Sequence, residues 1–529
     1  MLIKSFDDIL SNPVYNGYNV YVHNLSNYDS LFLLKPLTKS FNINPFFHNN
    51  SLFSLEVSKL VKIDGKDQTV RIKVVDSFKM LSFPLRKLAK SFEVDTIKGV
   101  FPYRFPNGEN FTYVGTKPSY DFYNSKDISL EEYKLLNPND WDLKLETLRY
   151  LESDVRSLYE VIMKFAESVY ELEKLNITDS LTIASLAFNA FKANYLKGNT
   201  YLSKIRSDLH NEIRSAYYGG RVEVYKPHGM LNPMPTGNGV LTGEKDLNKL
   251  FGIVKANIVC PDDLYCPILP YRTKKGGLIC PTGSWTDWYF SEELKMAVSY
   301  GYTVDAVVKA VVFDKNDGLF DDYVNKYYNI KSHETGPKRA TAKSMLVSLY
   351  GRMGLRPTFD VTRLVTTDVA EGIMKNYDVT DSYILNEDKK LEILRYSTIP
   401  SEDKAKVNNN VNFNELSIKA DNSMVRKAKT VGENLPHEGY IDLYNGKSVT
   451  FNKEYWVRDR KLGTVTIVNK NIKLSPVFDK RDKVFNEEGV WMDTKPLVVN
   501  EPLEVMSFMD NEVEQTSNGS EITSEVSNR

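Results

Sequence analysis

Two short stretches place acidic side chains where they could share a metal ion. "YVHNLSNYDS" sets Asn24, Tyr28 and Asp29 at the exit of a strand-like run, and "YLESDVRSLYE" sets Tyr150 and Asp154 four residues apart. Residues at that spacing share one face of a helix. Carboxylates from different elements can hold a divalent cation that activates water for phosphodiester cleavage. A Tyr one turn before such an Asp could orient that water. The plainer alternative makes Asp29 the cap of the following helix and leaves Asp154 facing solvent.

The elements that must position these groups follow from hydrophobic periodicity. "NVYVHNL" reads as a strand leading into a short helix, "YDSLFLLKPL". "SLFSLEVSKLVKI" and "TVRIKVVDSF" alternate as half-buried strands do, and "PLRKLAKSF" is a basic helix. "LETLRYLESDVRSLYEVIMKFAESVYELEKL" is a long amphipathic helix, so an N-terminal α/β domain ends near Leu175. The helix "SLTIASLAFNAFKANYL" opens a second region. It holds the strand "LFGIVKANIVC", a loop passing into a helix ("PTGSWTDWYFSEELKMAVSYGY") and the strand "VDAVVKAVVF". Two helices joined near Glu334 to Pro337 follow. "MLNPMPTG", after Gly229, reads as irregular, and the tail from about Asp510 is too polar to pack.

Composition narrows the class. The 529 residues carry 68 Lys plus Arg against 69 Asp plus Glu, a net charge of −1 that singles out neither a polyanion nor a membrane as partner. A neutral chain can still gather basic groups in one groove. Cys260, Cys266 and Cys280 are too few for a disulfide framework, and they lack the CxxC spacing of a zinc site. No apolar run approaches the roughly 18 residues of a membrane span, and the N-terminus has the pattern of neither a signal nor a transit peptide. The wealth of Asn, Lys, Ile, Tyr and Phe hints at an AT-rich coding genome.

"HNLSNYD" resembles the second exonuclease motif of family B DNA polymerases, and "YLESD" resembles their third, Tyr-x-x-x-Asp. "DSFKMLSFPLRKLAKSF" between them is similar to the protein-primed branch of that family. The resemblance implies that Asn24 touches a single-stranded 3′ end, that Asp29 and Asp154 are metal ligands, and that Tyr150 positions the water. "SAYYGGRVEVY" resembles the Tyr-x-Gly-Gly turn that holds template DNA, through Tyr217, Gly219 and Gly220. Two adjacent glycines permit positive φ and a close backbone approach to another chain; an ordinary turn is the alternative. "AKSMLVSLYGRMG" resembles motif B, Lys-x-x-x-Asn-Ser-x-Tyr-Gly, with Lys343, Ser348, Tyr350 and Gly351 in place and Val347 where the family has Asn. Lys343, Val347 and Tyr350 fall on one helical stripe, where a cation can hold a triphosphate and an aromatic can pack on the nascent base pair. A plain amphipathic helix gives the same periodicity. The likeness covers most of residues 18 to 500. "GIVKANIVCPDDLYCPILPYR" and "KRDKVFNEEGVWMDTKPLVV" also resemble polymerases of fungal linear mitochondrial plasmids, of the protein-primed subgroup in which a terminal protein replaces the RNA primer.

Three family blocks are missing from this pattern. The first exonuclease motif, Asp-x-Glu, should precede Asn24, where only Asp7 and Asp8 lie, in the wrong pattern. Motif A, Asp-x-x-Ser-Leu-Tyr-Pro, should fall between Gly229 and Met230, which are directly joined. Motif C, Asp-Thr-Asp-Ser, is approached only by "YDVTDSY" (Asp378, Asp381) and "KADNS" (Asp421), neither between two apolar strands. "KEYW" from Lys453 to Trp456 only superficially resembles a Lys-x-Tyr motif. The carboxylates of motifs A and C hold the two metal ions of nucleotidyl transfer, about 4 Å apart, so impaired catalysis is expected.

The expectation is an α/β chain: an RNase-H-like exonuclease domain (1–175), a palm with insertions (176–320), fingers helices (321–360), a remaining palm or thumb-like region (361–509) and a disordered tail (510–529). The activity implied is DNA-directed DNA synthesis with Mg2+ or Mn2+, on a DNA template and primer terminus with dNTPs, beside an exonuclease. A terminal protein would be the partner, no membrane would be involved, and the location would be mitochondrial. The alternative is a noncatalytic remnant binding DNA through Arg86, Lys87, Lys90, Lys338, Arg339 and Lys343. A third reading is a residual nuclease using Asp29 and Asp154.

Overall fold

The computed structural model describes residues 2–48, 51–96, 99–124, 128–137, 139–198, 200, 202, 213–218, 230–274, 277–353, 360–397, 412–418, 424–429, 435, 437–444, 447–459, 463–475, 480–489 and 491–504. The first sheet is built from β1 (Asn19–Val22), β2 (Asn42–His48), β3 (Ser51–Ile63) and β4 (Lys66–Asp76), with α1 (Ser30–Ser40) between β1 and β2. Its order is β1-β4-β3-β2. β1 runs parallel to β4, and the other two pairings are antiparallel. Val70, Ile72 and Val74 alternate into the core along β4, the period-two signature that makes this strand legible. β2 escapes sequence reading because "NINPFFH" carries Pro45, a residue tolerated only where a ladder bond is dispensable, as on this edge strand.

Helices follow in the chain. α2 (Leu85–Ser91) is short; α3 (Leu143–Glu173) spans 31 residues. Asp142 caps α3 by accepting the Leu145 N–H at 3.0 Å, and Lys174 ends it in the left-handed region at φ 58°. α4 (Ile183–Asn194) is capped by the Thr182 hydroxyl, which accepts the Ser185 N–H at 3.1 Å.

A second sheet follows, with β5 (Met234–Thr242), β6 (Gly252–Cys260), β7 (Thr282–Phe290) and β8 (Thr303–Asn316); α5 (Ser291–Ser299) separates β7 from β8. Its order is the short strand Val498–Asn500, then β7-β6-β8-β5. Two expectations are corrected here. The stretch "MLNPMPTG" is not irregular throughout, since β5 begins at Met234. "TGSWTDWYF" is a strand rather than a loop. Its Gly, Thr and Asp hide the β pattern, yet Trp285 and Tyr289 stand an even number of residues apart and are both fully buried. The Trp285 indole N–H donates to the Tyr289 hydroxyl at 2.8 Å. Gly283, at φ 98°, lets the Val499 carbonyl approach so closely that a Cβ would collide with it.

α6 (Asp321–His333) and α7 (Gly336–Met353) form the helical pair read from sequence, joined where expected. They pack on α2, α3 and α4 in one core that includes Leu88, Phe165, Val169, Phe191, Tyr323, Met345 and Leu349. β9 (Asp360–Thr366), β10 (Asp378–Asn386) and β11 (Leu391–Ser397) form a three-stranded sheet of order β9-β11-β10. Leu364, Tyr383, Leu385 and Ile393 from it pack into the core of the first sheet. Residues 360–397 thus pack against the first sheet. Finally, β12 (Val449–Asp459) and β13 (Thr464–Leu474) make a long antiparallel hairpin. Among the described residues, no helix is long and apolar enough to cross a membrane. The tail from 510 and Asp421 lie outside the described residues.

Candidate functional site

Because β1 and β4 are parallel with Val22 opposite Asp76, both strands end at the same edge. The loop leaving β1 is tied there by Asp76. Its carboxylate accepts the N–H groups of Asn24, Ser26 and Phe78, each at 3.0 Å, and the Ser26 hydroxyl at 2.6 Å. Asn24 sits at φ 73°, a left-handed turn that Asn tolerates better than most residues. Its side-chain oxygen accepts from the Asn27 amide at 2.7 Å. The His23 ring bridges the Ser77 hydroxyl (3.0 Å) and the Phe83 carbonyl (2.9 Å).

Asp29 occupies the cap position of α1, but its side chain makes no capping bond. The plainer reading of Asp29 as an ordinary helix cap therefore fails. Burial raises the pKa of this carboxyl, its own backbone N–H opposes the shift, and the charge of Asp76 adds to it. Around it lie exposed rings. Tyr28 meets Phe32 edge-on at 5.4 Å and approaches Trp456 of the hairpin at 6.4 Å.

Tyr150 and Asp154 lie one turn apart in the first half of α3, as their spacing predicts. The Tyr150 hydroxyl bonds the Tyr103 hydroxyl and also Asp154. Burial, then Tyr103, pushes its phenol well above the usual tyrosine range. Phe101 flanks it with ring centroids 5.3 Å apart.

α7 sorts its residues cleanly by side. Thr341, Ala342, Met345, Leu346 and Leu349 are buried. Lys343, Val347 (46% exposed) and Tyr350 (37% exposed) form the outer stripe, with Gly351 beyond them and Ser348 half-buried. Burial raises the Tyr350 phenol, and the charges of Tyr217 and Glu293 add to the effect, so Tyr350 and Tyr217 share one neighbourhood despite their distance in sequence. Tyr217 is 48% exposed, with the Arg214 guanidinium 5.4 Å from its ring. Its neighbour Tyr218 anchors the turn to the second sheet. That ring stacks on Tyr289 at 5.5 Å, and its hydroxyl donates to the Trp288 carbonyl at 3.3 Å. Gly219 and Gly220 lie outside the described residues.

"YDVTDSY" falls on β10, where Asp381 pairs in register with Arg395 against the first sheet. That is not a position between strands of the second sheet. Sequence reasoning missed Asp76 and Tyr218 as anchors. Asp76 stands in the quoted "DSFKMLSF", at the end of an alternating strand, which is the one signal that could have found it.

The two larger sheets and the helices packed around them make a mixed α/β architecture. The model of the family "DNA polymerase type B, organellar and viral" matches residues 10–431, and the chain belongs to that family. A probable DNA polymerase of Podospora anserina is 32% identical over 436 residues, covering 71% of this chain and 36% of that protein. One of Agaricus bitorquis is 31% identical over 406 residues, covering 70% of this chain and 50% of its own length. The DNA polymerase of Bacillus phage Nf is 23% identical over 323 residues, 55% of this chain and 49% of the phage protein. The chain thus spans between about a third and a half of these relatives' lengths. In fold it is similar to Phi29 DNA polymerase complexed with primer-template DNA, with a TM-score of 0.53 and 16% identity over 89% of this chain and 93% of that one.

Polymerases of this family generally depend on divalent metal. Among the described residues, no group of three His, Cys, Asp or Glu side chains is gathered to hold an ion. Mg2+ is commonly held by one or two carboxylates together with water and substrate oxygens, so Asp29 and Asp154 could supply the protein's share of such a site only with those further oxygens.

Proposed function

We propose that the chain is the DNA-directed DNA polymerase region of a protein-primed replication protein, acting on a primed DNA template with dNTPs. The observation that carries this reading is the outer stripe of α7. Lys343, Val347 and Tyr350 face outward from a helix whose other face is buried, so burial does not explain why a cation and an aromatic stand there. Lys343 would hold a triphosphate, and Tyr350 would pack on the base pair being formed, beside Tyr217 of the template-holding turn. Asn24, Ser348, Gly351, Gly219 and Gly220 complete the proposed nucleic-acid contacts. In the N-terminal domain, Asp29, Tyr150 and Asp154 are the proposed exonuclease groups, with Asp29 and Asp154 as metal ligands that need further donors. The fungal relatives and the organellar and viral family support a mitochondrial location; a plasmid origin and a terminal protein as partner belong to the same proposal.

The test is primer extension by the purified chain with Mg2+ or Mn2+ and all four dNTPs. Extension, lost in Lys343→Ala, supports the reading; no extension with either ion sinks the activity. A second reading is favoured by the direct join of Gly229 to Met230 in the sequence, which leaves no motif A acid. It is a DNA-binding protein without turnover, recognised by salt-sensitive retardation of any DNA sequence together with absent extension.

A further inference from the structure

Glu173, the last residue of α3, has a fully buried carboxylate. An isolated buried charge is costly, and it persists where donors converge on it. Here the donors come from two other helical segments. The Asn194 amide donates to Oε2 at 2.7 Å and to the Glu173 carbonyl at 3.0 Å. Oε1 accepts the Tyr195 hydroxyl at 2.6 Å, the Tyr327 hydroxyl at 2.8 Å and the Lys326 ammonium at 2.9 Å. Lys326 also donates to the Leu172 carbonyl at 2.7 Å. The end of α3, the end of α4 and the middle of α6 are thus fastened at one point.

The fastening continues to α7. One turn before Tyr327, the Tyr323 ring packs on it at 4.6 Å, and the Tyr323 hydroxyl donates to the Met345 carbonyl at 2.8 Å. Met345 stands between Lys343 and Val347, so this bond seizes α7 within the segment whose outer face carries the stripe. Apolar packing alone would let α6 and α7 slide or rotate by small amounts, because such contacts lack direction. A carboxylate with several charge-assisted bonds does not, since each bond fixes distance and angle.

We propose that Glu173 is a positioning residue for the nucleotide-facing stripe of α7, acting through Lys326, Tyr327 and Tyr323. This rests on the reading of that stripe given above. Glu173→Gln tests it with little change in shape. A glutamine keeps one acceptor for the three donors at Oε1, but it turns an N–H2 toward the Asn194 amide, donor against donor. Tyr323→Phe, which removes only the bond to the Met345 carbonyl, breaks the same chain of contacts at its α7 end.

The experiment measures binding of a fluorescent deoxyadenosine triphosphate analogue by the full chain, alongside amide hydrogen exchange over residues 321–353. Glu173→Gln should weaken nucleotide binding roughly tenfold, the scale of a lost hydrogen bond to a charged group, and should speed exchange in α7. Single-stranded DNA binding should not change, and Tyr323→Phe should reproduce both losses. A folded Glu173→Gln or Tyr323→Phe protein that binds the analogue as the parent does overturns the proposal. If the parent chain itself binds no nucleotide, the stripe reading has failed; exchange then decides, and unaltered protection of α7 in Glu173→Gln overturns the positioning role as well. Should Glu173→Gln not fold, Tyr327→Phe, which removes a single donor, carries the same comparison.

Discussion

Lys343 and Met345 stand two residues apart on one helix yet face different media, and their substitutions should separate accordingly. Lys343→Ala deletes an exposed cation, so its cost should appear in triphosphate binding, measured by fluorescence titration, with the thermal midpoint unchanged. Leu349→Ala on the buried face should instead cost about 2–5 kcal/mol of stability, because it opens a cavity in a packed core; denaturant unfolding reads that directly. Asp76 gives a third contrast. Asp76→Asn replaces an acceptor of four hydrogen bonds by a group that is half donor, stranding buried N–H groups at about 1–3 kcal/mol each. Lower stability with weaker single-stranded DNA binding is the expected result, and unchanged binding would mean that the Asn24 loop does not need its tether. The Lys343 stripe was legible in the sequence because helical spacing alone sets which residues share a face. Asp76 was not. Its partners Asn24 and Ser26 lie about fifty residues away and become neighbours only once β1 and β4 pair in parallel.

Elements differ in legibility for a similar reason. The long helix α3, the strands β3, β4, β6 and β8, and the α6–α7 pair each carry a period strong enough to declare itself, and the structure has them where the sequence puts them. The edge strand β2 and the strand β7 do not, because Pro45 breaks one pattern and Gly, Thr and Asp dilute the other. Their conformation is imposed by partners on the sheet rather than by their own composition. α3 also organises chain that has no element of its own. Its Glu160 accepts the Thr96 N–H at 3.0 Å and the Thr96 hydroxyl at 2.7 Å, beyond the end of α2. These bonds hold its pKa below the ordinary glutamate value of 4.5. The folded state therefore binds the proton less readily than the unfolded chain. The stabilisation is complete above the unfolded value and is lost as pH falls through the folded one. Comparing thermal midpoints of the parent and Glu160→Gln should show a gap at pH 7 that narrows as pH falls below the ordinary value of 4.5. A gap that does not narrow with falling pH would assign the loss to packing instead.

At the scale of the molecule, the boundary that sequence periodicity draws near Leu175 runs through a core rather than between two. Val161, Phe165 and Val169 of α3 are buried in the same cluster as Phe191 of α4, Tyr323 of α6 and Met345 of α7. The first sheet likewise takes Leu385 and Ile393 from β10 and β11, more than three hundred residues further along the chain. An N-terminal fragment ending at 175 would expose both surfaces at once. Burying apolar side chains is worth roughly 1.5–3 kcal/mol each, and a domain's net stability is only about 5–15 kcal/mol, so losing several partners together should leave no folded state. We expect fragment 1–175 to bind an apolar dye, to lack near-ultraviolet dichroism and to unfold without a sharp transition, while the full chain shows a cooperative one. Addition of the separately produced remainder, 176–529, should restore the transition. A fragment that unfolds cooperatively alone would show residues 1–175 to be an autonomous unit.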